Sequence, residues 1–500
     1  MQTAVIGLGY VGLVTAACLA HWGHRVLGVD VDAHRLRALQ AGRLPFYEPR
    51  LDELVEANTT NGRLTFTSSP ADAVRGASIV MVAVGTHDGN GGWQTDTIRG
   101  CLESILPEVA DDATLVVRST LPPEFIQELP TLIGTIRTSV GRPTVPVLIN
   151  PEFTREGCAV VDFLEPERVV FGSVDDPDGR GLAMLQELYG STSAPKLNLS
   201  GTDAAFAKLG SNLFLATKIS FANELATLCE AYGADVESVV RAMAYDSRIG
   251  GRFLRAGAGF GGSCLPHQVT MTVRTARLAG IPSPLLQAVD EVNHGQRERV
   301  VEKLRTLLDG QLAGHRIAML GVAFKPHTDD VRDAPSLTIA ARLIALGAEV
   351  VAYDPMPRAV ERASAVVAGI HIAGSAMEAL EGADAVALVT EWPEFLAIDW
   401  SRARELMRGR AIVDARNVLS PGELKSLGFA YSGFGRSSAN SPPQDARVQA
   451  GNKSRSFTVG EGMGPPAANP NVDRQLRRSV ESRDLTPLRA GTSEHAIDTD

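Results

Sequence analysis

Short apolar runs alternate with longer helix-like stretches over the first part of the chain. An apolar run at residues 3–6 stops at a glycine, a helical stretch spans residues 10–21, and a second apolar run at residues 26–29 ends at Asp30. Similar runs follow at residues 79–84, 114–117, 145–149 and 169–171. Buried strands that alternate with helices are typical of a parallel sheet covered on both faces. The pattern predicts an α/β domain over residues 1–195.

The periodicity of the apolar positions changes in the middle of the chain. From residue 202 to about residue 307, apolar residues recur at helical spacing, and a glycine-rich stretch at residues 250–262 interrupts them. Strand-like runs then return at residues 317–320, 350–353, 385–389 and 412–413. We therefore expect an all-helical segment over residues 196–307 that leads into a second α/β domain over residues 308–436. The predicted fold class is α/β, with two Rossmann-like doubly wound domains joined by a helical core.

The composition shifts again after residue 436. Residues 437–500 are rich in Ser, Pro, Gly, Asn and charged residues, with few apolar residues and no sustained period. Such a segment cannot bury enough apolar surface to offset the conformational entropy that it would lose on ordering. We predict a disordered tail.

Charge and cysteine content narrow the classes of function. The formal net charge of −10 gives no general attraction to nucleic acid or to anionic lipid. No window approaches the uncharged apolar run of about twenty residues that crosses a bilayer, and the amino terminus lacks a basic region ahead of an apolar one. The cysteines are odd in number and form no CxxC pair, which argues against a disulfide framework and a zinc site. We expect a cytoplasmic protein that binds no metal, nucleic acid or membrane.

A glycine motif follows the first predicted strand. The sequence GLGYVG fits GxGxxG, opens a predicted helix and is followed by Asp30 at the end of the next strand. Gly7 permits the tight turn, Gly9 lets backbone N–H groups approach a pyrophosphate, and Gly12 allows close packing of helix on sheet. Asp30 can accept hydrogen bonds from ribose hydroxyls and would repel a 2′-phosphate, which favours NAD over NADP. A glycine turn without a ligand is the alternative, and we expect Arg35 on the next helix, near the adenosine.

A cysteine follows the second glycine-rich stretch. In GFGGSCLP, Cys264 comes directly after the flexible loop, where a helix is expected to begin. Helix N-terminal dipoles lower the pKa of a thiol, and the glycines leave room for a substrate. A small buried cysteine is the alternative, and it suits Cys18, Cys101 and Cys229 on apolar helical faces. The glycine context predicts that Cys264 is a nucleophile in an environment that favours the thiolate.

Polar clusters mark two further elements. The stretch NPEFTREG follows the apolar strand at residues 145–149, at a carboxyl end where open α/β sheets bind ligands. Its glutamates, Glu152 and Glu156, are candidate bases, with surface ion pairing as the alternative. Lys208 and Asn212 lie four residues apart on one face of a predicted helix that is otherwise rich in apolar residues. We expect a lysine buried there to have a partner or a role in catalysis.

Several segments together resemble the UDP-glucose/GDP-mannose dehydrogenase family. They are GLGYVG (7–12), FYEP (46–49), RST (118–120), NPEFTREG (150–157), KLGSN (208–212), DSRIG (246–250), GFGGSCLP (259–266) and GVAFKPHTDDVRDAPS (321–336). The resemblance covers about residues 1–436. It implies an NAD-binding domain, a helical dimerisation core and a nucleotide-sugar domain. NAD is then the cofactor, a nucleotide sugar the substrate, and a dimer the smallest homo-oligomer expected.

Within the family, some segments are more similar to the UDP-glucose 6-dehydrogenases than to the GDP-mannose or UDP-hexosamine enzymes. They are DFLEPERVVFG (162–172), FLATKISFANELA (214–226) and DSRIGGRFL (246–254). This implies a four-electron oxidation of the C6 alcohol of UDP-glucose to UDP-glucuronate, through a thiohemiacetal and a thioester on Cys264. Alternatives are the same chemistry on dTDP-glucose, a UDP-hexosamine or GDP-mannose, or a catalytically weak nucleotide-sugar binding paralogue.

The resemblance also assigns residues, motif by motif. Catalytic roles fall on Cys264, Glu152, Glu156, Lys208, Asn212, Thr120 and Gln268, with Glu152 as the base for the hydrolytic water. Cofactor contacts fall on Gly7, Gly9, Tyr10, Val11, Gly12, Asp30, Arg35, Thr86, Thr120 and Glu156. Substrate contacts fall on Glu152, Phe153, Thr154, Lys208, Asn212, Phe253, Arg255, Gly261, Lys325, Arg416 and, from a partner subunit, Arg248.

The chain departs from the family pattern beside the expected nucleophile. His267 and Gln268 stand where the family usually has Lys and Asp, which removes a carboxylate near Cys264. A glutamine can form hydrogen bonds but cannot take up a proton or carry charge. Arg118 replaces a usual lysine, and His87 stands where proline is usual. These changes bear on the rate and the natural substrate more than on the class of reaction.

Overall fold

An eight-stranded sheet forms the first part of the molecule. The computed structural model describes residues 1–87 and 92–436, so the predicted tail lies outside the described residues. The strands are β1 (Gln2–Ile6), β2 (Arg25–Val29), β3 (Leu64–Thr67), β4 (Ile79–Val82), β5 (Thr114–Val117), β6 (Val147–Ile149), β7 (Val169–Asp175) and β8 (Lys196–Ser200). Their order is β3-β2-β1-β4-β5-β6-β7-β8. All neighbours pair in parallel except β6 and β7.

Helices cover both faces of this sheet. They are α1 (Tyr10–His21), α2 (Ala33–Gln40), α3 (Leu51–Thr60), α4 (Pro70–Arg75), α5 (Thr95–Ile105), α6 (Pro123–Ser139), α7 (Ala159–Leu164) and α8 (Arg180–Leu188). Val5 of β1 belongs to the apolar cluster that includes α1, and its neighbours Ala4 and Ile6 belong to the cluster that includes α5 and α6. This alternation is that of a strand buried on both sides.

The first sheet differs from the sequence prediction in two respects. β8 ends at Ser200, beyond the expected domain boundary at residue 195, and its side chains are partly or fully exposed, so it presents no apolar run. β7 runs antiparallel to β6, whereas a parallel sheet was expected. The helix between them, α7, has only six residues, a length of about 9 Å at 1.5 Å per residue. It is too short to carry the chain back across the sheet before β7 begins.

Helices form the middle segment from Gly201 onward, whereas residues 196–200 of the predicted helical segment belong to β8. They are α9 (Gly201–Tyr232), α10 (Val236–Ala244), α11 (Leu265–Leu278) and α12 (Pro284–Leu307). α9 begins after Ser200, whose hydroxyl accepts a hydrogen bond from the Asp203 N–H, and it ends at Gly233, which takes φ +72°. The glycine-rich stretch lies between α10 and α11, so it delivers the chain to the N-terminus of α11.

A six-stranded, wholly parallel sheet forms the last part. Its strands are β9 (Arg316–Leu320), β10 (Glu349–Tyr353), β11 (Ile370–Ile372), β12 (Ala385–Leu388), β13 (Ala411–Asp414) and β14 (Ala430–Ser432), in the order β11-β10-β9-β12-β13-β14. Its helices are α13 (Pro335–Ala345), α14 (Pro357–Val366), α15 (Ala376–Leu380), α16 (Pro393–Leu396), α17 (Trp400–Leu406) and α18 (Pro421–Ser426). In both sheets the strand order reverses next to the first strand of the sheet, as in doubly wound folds. The predicted fold class is confirmed.

Candidate active site

The expected cofactor residues follow the carboxyl ends of the central strands of the first sheet. Open α/β sheets bind nucleotides at this edge, where the strand order reverses. The residues lie after β1, β2, β4, β5 and β6, and they are Gly7, Gly9, Tyr10, Val11, Gly12, Asp30, Arg35, Thr86, Thr120 and Glu156.

The glycine motif forms the turn between β1 and α1. Gly7 takes φ +92°, and a Cβ there would lie 2.7 Å from the Ala83 carbonyl oxygen. A Cβ on Gly12 would lie 1.8 Å from the Gly7 carbonyl oxygen, so only glycine permits this packing. Gly9 is the N-cap of α1, and among the described residues nothing beyond its chain neighbours comes within 4 Å of its Cβ position. The turn offers open space at a helix N-terminus, which fits the pyrophosphate of NAD.

Asp30 lies at the end of β2 and is nearly buried. Its Oδ2 accepts hydrogen bonds from the Leu8 N–H at 2.8 Å and from Arg35 Nη1 at 2.6 Å, and its Oδ1 accepts from the Asp32 N–H at 2.9 Å. Arg35 lies on α2, as predicted, but its guanidinium is paired with Asp30. Because the two charges offset each other, this arginine is not a free cation for a 2′-phosphate.

The second sheet repeats both this turn and the aspartate after the next strand. Gly321 follows β9 with φ +96°, and Asp354 follows β10. Asp354 accepts hydrogen bonds from the Val322 and Ala323 N–H groups and from Trp392 Nε1, and burial raises its pKa. Like Asp30, Asp354 thus accepts hydrogen bonds from backbone N–H groups of the glycine turn that precedes it in the chain.

Some expected cofactor residues are engaged by the protein itself. The Tyr10 hydroxyl donates a hydrogen bond to Glu48, and Thr86 Oγ1 donates to the Thr120 carbonyl at 2.7 Å. Thr120 lines a small cavity beside Lys208 and is absent from the lining of the main cavity described next. These bonds hold the loops that surround the glycine turn.

A cavity of about 750 Å³ brings together residues from both sheets and the helical segment. This volume lies within the range of small-molecule sites. The predicted residues that line it are Glu152, Phe153, Thr154, Glu156, Lys208, Asn212, Phe253, Arg255, Gly261, Cys264, Lys325 and Arg416. The structure thus gathers the predicted nucleophile, Cys264, and most of the expected substrate contacts in one cavity.

Glu152 forms a buried ion pair with Lys208. Lys208 Nζ lies 3.0 Å from Glu152 Oε1. Glu152 Oε2 accepts hydrogen bonds from the N–H and the hydroxyl of Thr154, at 2.7 and 2.5 Å. Burial favours the neutral acid, but the charge of Lys208 and the Thr154 hydrogen bonds outweigh it, so the pKa of Glu152 is lowered. Glu152 is therefore an ionised carboxylate.

Glu156 lies where the two α/β domains meet. Its Oε1 is 3.3 Å from Arg332 Nη2, and Arg332 is also paired with Asp330 at 2.6 Å. Burial and the negative charge of Asp330 raise the pKa of Glu156 to about 8. Glu156 thus keeps its proton at neutral pH, which differs from the candidate base expected from sequence. Sequence reasoning singled out neither Asp330 nor Arg332; their place in a family-like segment was the available signal.

Cys264 is the N-cap of α11 and is exposed to the cavity. The protein that surrounds it, followed by the negative charge of Glu152, raises the pKa of its thiol. Lys208 and the Ser263 hydroxyl act in the opposite direction without cancelling the effect. The expectation of a favoured thiolate was therefore wrong, because desolvation by the surrounding protein, followed by the charge of Glu152, favours the neutral thiol. The resting group is a thiol.

The residues that depart from the family pattern have partners in the fold. Gln268 is buried in the first turn of α11, and its Oε1 accepts a hydrogen bond from Asn212 Nδ2 at 2.9 Å. It does not line the main cavity, so it reaches the site through Asn212. His267 Nε2 lies 2.9 Å from Asp333 Oδ2, and its ring lies 5.3 Å from that of His87.

Arg118 is buried, and its planar guanidinium contacts several hydrogen-bond partners at once. Its Nε donates to Thr15 Oγ1 at 2.8 Å, and its Nη1 lies within hydrogen-bond distance of Asn150 Oδ1, at 2.6 Å, and the Tyr189 hydroxyl, at 3.1 Å. A single ammonium group cannot make this set of planar contacts. The replacement of lysine by arginine is therefore accommodated by hydrogen-bond partners at the end of β5.

Cations lie in the part of the cavity formed by the glycine loop and the second domain. Lys325 and Arg255 line it and can offset the charge of a diphosphate. Arg416 also donates to the carbonyl oxygens of Val389, at 2.6 Å, and Gly259, at 3.1 Å. Arg416 thereby ties the loop that leads to the cysteine to the second domain.

Two loop positions frame the cavity, and one predicted residue lies outside it. Phe253 takes φ +65°, which is unusual for a bulky side chain. A Cβ on Gly261 would lie 2.5 Å from the Asp333 carbonyl oxygen, so the loop requires glycine. Arg248 pairs with Asp246 at 2.6 Å, its side chain is 87 % exposed, and it does not line the cavity of its own chain.

The part of the chain that the structure describes has neither a metal-ligand cluster nor a membrane-spanning helix. Between residues 1 and 87 and between 92 and 436, no group of His, Cys, Asp and Glu side chains could hold a metal ion. In those ranges, every helix is too short or too polar to cross a bilayer.

Models of one protein family match the three parts of the chain. The NAD binding domain of the UDP-glucose/GDP-mannose dehydrogenase family matches residues 1–193, its central domain matches residues 202–295, and its UDP binding domain matches residues 318–421. These matches correspond to the first sheet, the helical segment and the second sheet.

Individual relatives cover nearly the same length. UDP-glucose 6-dehydrogenase TuaD of Bacillus subtilis is 39% identical over 437 residues, which is 87% of this chain and 93% of its own. The UDP-glucose 6-dehydrogenase of Pseudomonas aeruginosa is 40% identical over 444 residues, 87% and 98% of the two chains. The solved UDP-glucose dehydrogenase of Pyrobaculum islandicum has a TM-score of 0.78 at 34% identity, over 87% of this chain and 97% of that one. The UDP-D-ManNAc dehydrogenase of Pyrococcus horikoshii has a TM-score of 0.77 at 25% identity, over 87% and 100%.

Proposed function

Because this chain belongs to the UDP-glucose/GDP-mannose dehydrogenase family and is an NAD-dependent nucleotide-sugar 6-dehydrogenase, we propose that it oxidises UDP-glucose to UDP-glucuronate with Cys264 as a covalent nucleophile. One observation carries the proposal: Cys264 and the Glu152–Lys208 ion pair line the same cavity. That cavity also holds the cations that a diphosphate needs.

The first oxidation converts the C6 alcohol to an aldehyde. NAD, when bound at the glycine turn, accepts the hydride in each of the two oxidations. Lys208 donates a hydrogen bond to the C6 oxygen and stabilises the negative charge that develops there. The hydroxyl proton leaves to solvent through the cavity.

The second oxidation is covalent. The Cys264 thiol adds to the aldehyde, so that a C–S bond forms and the thiol proton ends on the former aldehyde oxygen. Loss of the second hydride from C6 and of that hydroxyl proton converts the thiohemiacetal into a thioester. The tether holds the C6 hydrogen in position for transfer, which replaces a random encounter with an intramolecular step.

Hydrolysis releases the acid. The ionised Glu152 accepts a proton from the water that attacks the thioester, the C–S bond breaks, and Cys264 regains a proton. Lys208 and Asn212 stabilise the charge on the carbonyl oxygen, and Gln268 holds the Asn212 amide in place. Thr120 lies beside Lys208 and acts through it. Glu156, protonated at neutral pH, supports the segment and is not the base.

UDP-glucose is favoured because the relatives from Bacillus subtilis and Pseudomonas aeruginosa both bear its name. The Pyrococcus horikoshii structure, named for UDP-D-ManNAc, motivates UDP-hexosamines as the second candidate. GDP-mannose and dTDP-glucose are further alternatives. Gln268 motivates a different class, a catalytically weak nucleotide-sugar binding paralogue.

A substrate panel tests the proposal. Purified protein is mixed with NAD and each nucleotide sugar, and NADH is followed by absorbance; we expect two NADH per UDP-glucose. NADH from another sugar alone would refute the substrate, and binding without NADH from any sugar would favour the weak paralogue. Cys264→Ala should lose acid formation, whereas Cys158→Ala, which removes another exposed cysteine that does not line the cavity, should retain it. Undiminished acid from Cys264→Ala would refute the covalent path.

We also propose a homodimer built on α9. Phe214, Phe221 and Leu228 recur every seven residues along this helix and are 65, 50 and 52 % exposed. A second copy would bury this apolar row and could bring Arg248 to the partner's cavity. Light scattering on the wild type should report a dimer or a larger assembly, and Phe221→Glu should lower the mass. A monomeric wild type would refute the proposal.

A further inference from the structure

Glu48 is a buried carboxylate that none of the steps above uses. It lies in the loop between α2 and α3 and is 2 % exposed. Its Oε2 accepts a hydrogen bond from the Gly157 N–H at 2.6 Å, and its Oε1 accepts from the Ala159 N–H at 2.7 Å. The Tyr10 hydroxyl is a third donor. Backbone and side-chain donors from two separate segments therefore converge on one carboxylate.

The donors belong to the two segments that the reaction must align. Tyr10 is the first residue of α1 and directly follows Gly9 of the cofactor turn. Gly157 ends the segment that carries Glu152. The Tyr10 ring lies 4.8 Å from the ring of Phe46, in the same loop as Glu48, which fixes the direction of the hydroxyl. Glu48 thus joins the cofactor turn to the catalytic segment by direct hydrogen bonds.

The second α/β domain holds the same junction from the other side. Gly157 takes φ +78°, and a Cβ there would lie 2.7 Å from the His327 carbonyl oxygen, so the two backbones are in close approach. The Tyr47 N–H donates to Asp329 Oδ1 at 3.3 Å, and Arg362 Nη2 donates to the Pro45 carbonyl at 3.3 Å. The loop that carries Glu48 is therefore tied to the second domain by direct hydrogen bonds.

We propose that Glu48 is a positioning residue, which sets the catalytic segment of Glu152 against the cofactor turn. The proposal rests on the proposed role of Glu152 and concerns how that residue is held. In sites of this kind, a displacement of about 1 Å lowers the rate on the order of 100-fold. Glu48 acts on the rate through geometry, since its own oxygens are occupied by protein donors.

Glu48→Gln tests the proposal, because it keeps the shape and exchanges one acceptor oxygen for an amide group. We expect kcat to fall by about tenfold to 100-fold and the affinity for NAD to weaken, with little change in the KM for UDP-glucose. The matched control is Asp176→Asn. Asp176 accepts hydrogen bonds from the Gly181 and Leu182 N–H groups, at 2.9 and 2.8 Å, where α8 begins, and it does not line the cavity. This control should lose stability but keep kcat.

Two outcomes would overturn the proposal: a kcat for Glu48→Gln within about twofold of wild type, or equal losses of kcat in both variants. If Glu48→Gln does not fold, Tyr10→Phe replaces it, because this variant removes one hydrogen-bond donor to Glu48 and keeps the ring packed on Phe46. An unchanged kcat and an unchanged NAD affinity in Tyr10→Phe would then overturn the proposal. Failure of wild type to oxidise UDP-glucose would count against the proposed substrate alone. In that case, kcat of wild type and the variants would be compared on the sugar that wild type does oxidise. Their affinities for NAD would be measured by calorimetry.

Discussion

Lys208 Nζ lies 3.0 Å from Glu152 Oε1, and the two side chains are only 4 and 9 % exposed. Removing one partner of a buried pair leaves a charge without compensation, at a cost of about 3–5 kcal/mol. The pair keeps a carboxylate ionised and a cation aimed at the same cavity as Cys264. The proposed base and the proposed oxyanion stabiliser are thereby in direct contact.

Glu152→Gln separates hydrolysis from oxidation. The amide keeps the shape and a hydrogen bond to Lys208 but cannot accept a proton from water. We expect the thioester to break down on the order of 10²- to 10⁴-fold more slowly, so that the acyl-enzyme accumulates on Cys264. Intact-protein mass spectrometry after mixing with NAD and UDP-glucose measures it. Glu152→Gln combined with Cys264→Ala should carry no adduct, and full acid production by Glu152→Gln without an adduct would contradict the role.

Alkylation of Cys264 tests its raised pKa. Because burial and then Glu152 favour the thiol, the rate of reaction with iodoacetamide should be low at neutral pH and should rise into the alkaline range. Glu152→Gln removes a negative charge beside the sulfur and should move this profile toward lower pH. Peptide mass spectrometry assigns the modified cysteine. If the alkylation rate were already maximal at neutral pH, Cys264 would be a thiolate, as the sequence predicted.

Local sequence predicted those parts of the fold and site that depend on neighbouring residues. The turn at Gly7, the aspartate after β2 and the position of Cys264 where α11 begins each follow from a short pattern. β8 was not predicted, because its exposed side chains leave no apolar run in the sequence. The direction of β7 depends on the path of the chain after β6, which periodicity does not report.

The electrostatics of the site depended on residues far apart in the chain. Asp330 raises the pKa of Glu156, and no local pattern around Glu156 points to that contact. In the same way, Glu152 and its surroundings reversed the expected state of Cys264. Sequence named the residues of the cavity, but their protonation states required the packing of one domain against another.

The pKa of Glu156 predicts how stability varies with pH. Between the ordinary pKa of a glutamate and about pH 8, Glu156 keeps its proton in the native state, whereas the unfolded chain has already released it. The stabilisation from the neutral acid is complete below about pH 4.5 and is lost as the pH rises through about 8. The side chain introduced in the Glu156→Gln variant stays neutral at every pH. The Tm of the variant minus the Tm of wild type should therefore increase, on the order of a few degrees, as the pH rises through this interval.

Differential scanning calorimetry measures the effect of pH on both proteins. Asp330→Asn should weaken the pH dependence of the wild type, because it removes the negative charge that helps to hold the proton on Glu156. A Tm difference between Glu156→Gln and wild type that is constant with pH would contradict the assignment.

The amide of Gln268 stands where the family usually has a carboxylate. Its Oε1 already accepts the hydrogen bond from Asn212 at 2.9 Å, inside a buried contact. Gln268→Asp shortens the side chain, breaks this bond and adds a charge beside a site that contains Glu152, so we expect a rate loss of tenfold or more, about 1–3 kcal/mol. Gln268→Glu keeps the length and adds only the charge, which separates the two causes. Turnover with UDP-glucose, read as NADH, measures both. A large gain in rate for Gln268→Asp would instead mean that the chain is an impaired enzyme, whereas a loss in both variants means that Asn212 is arranged around a neutral neighbour.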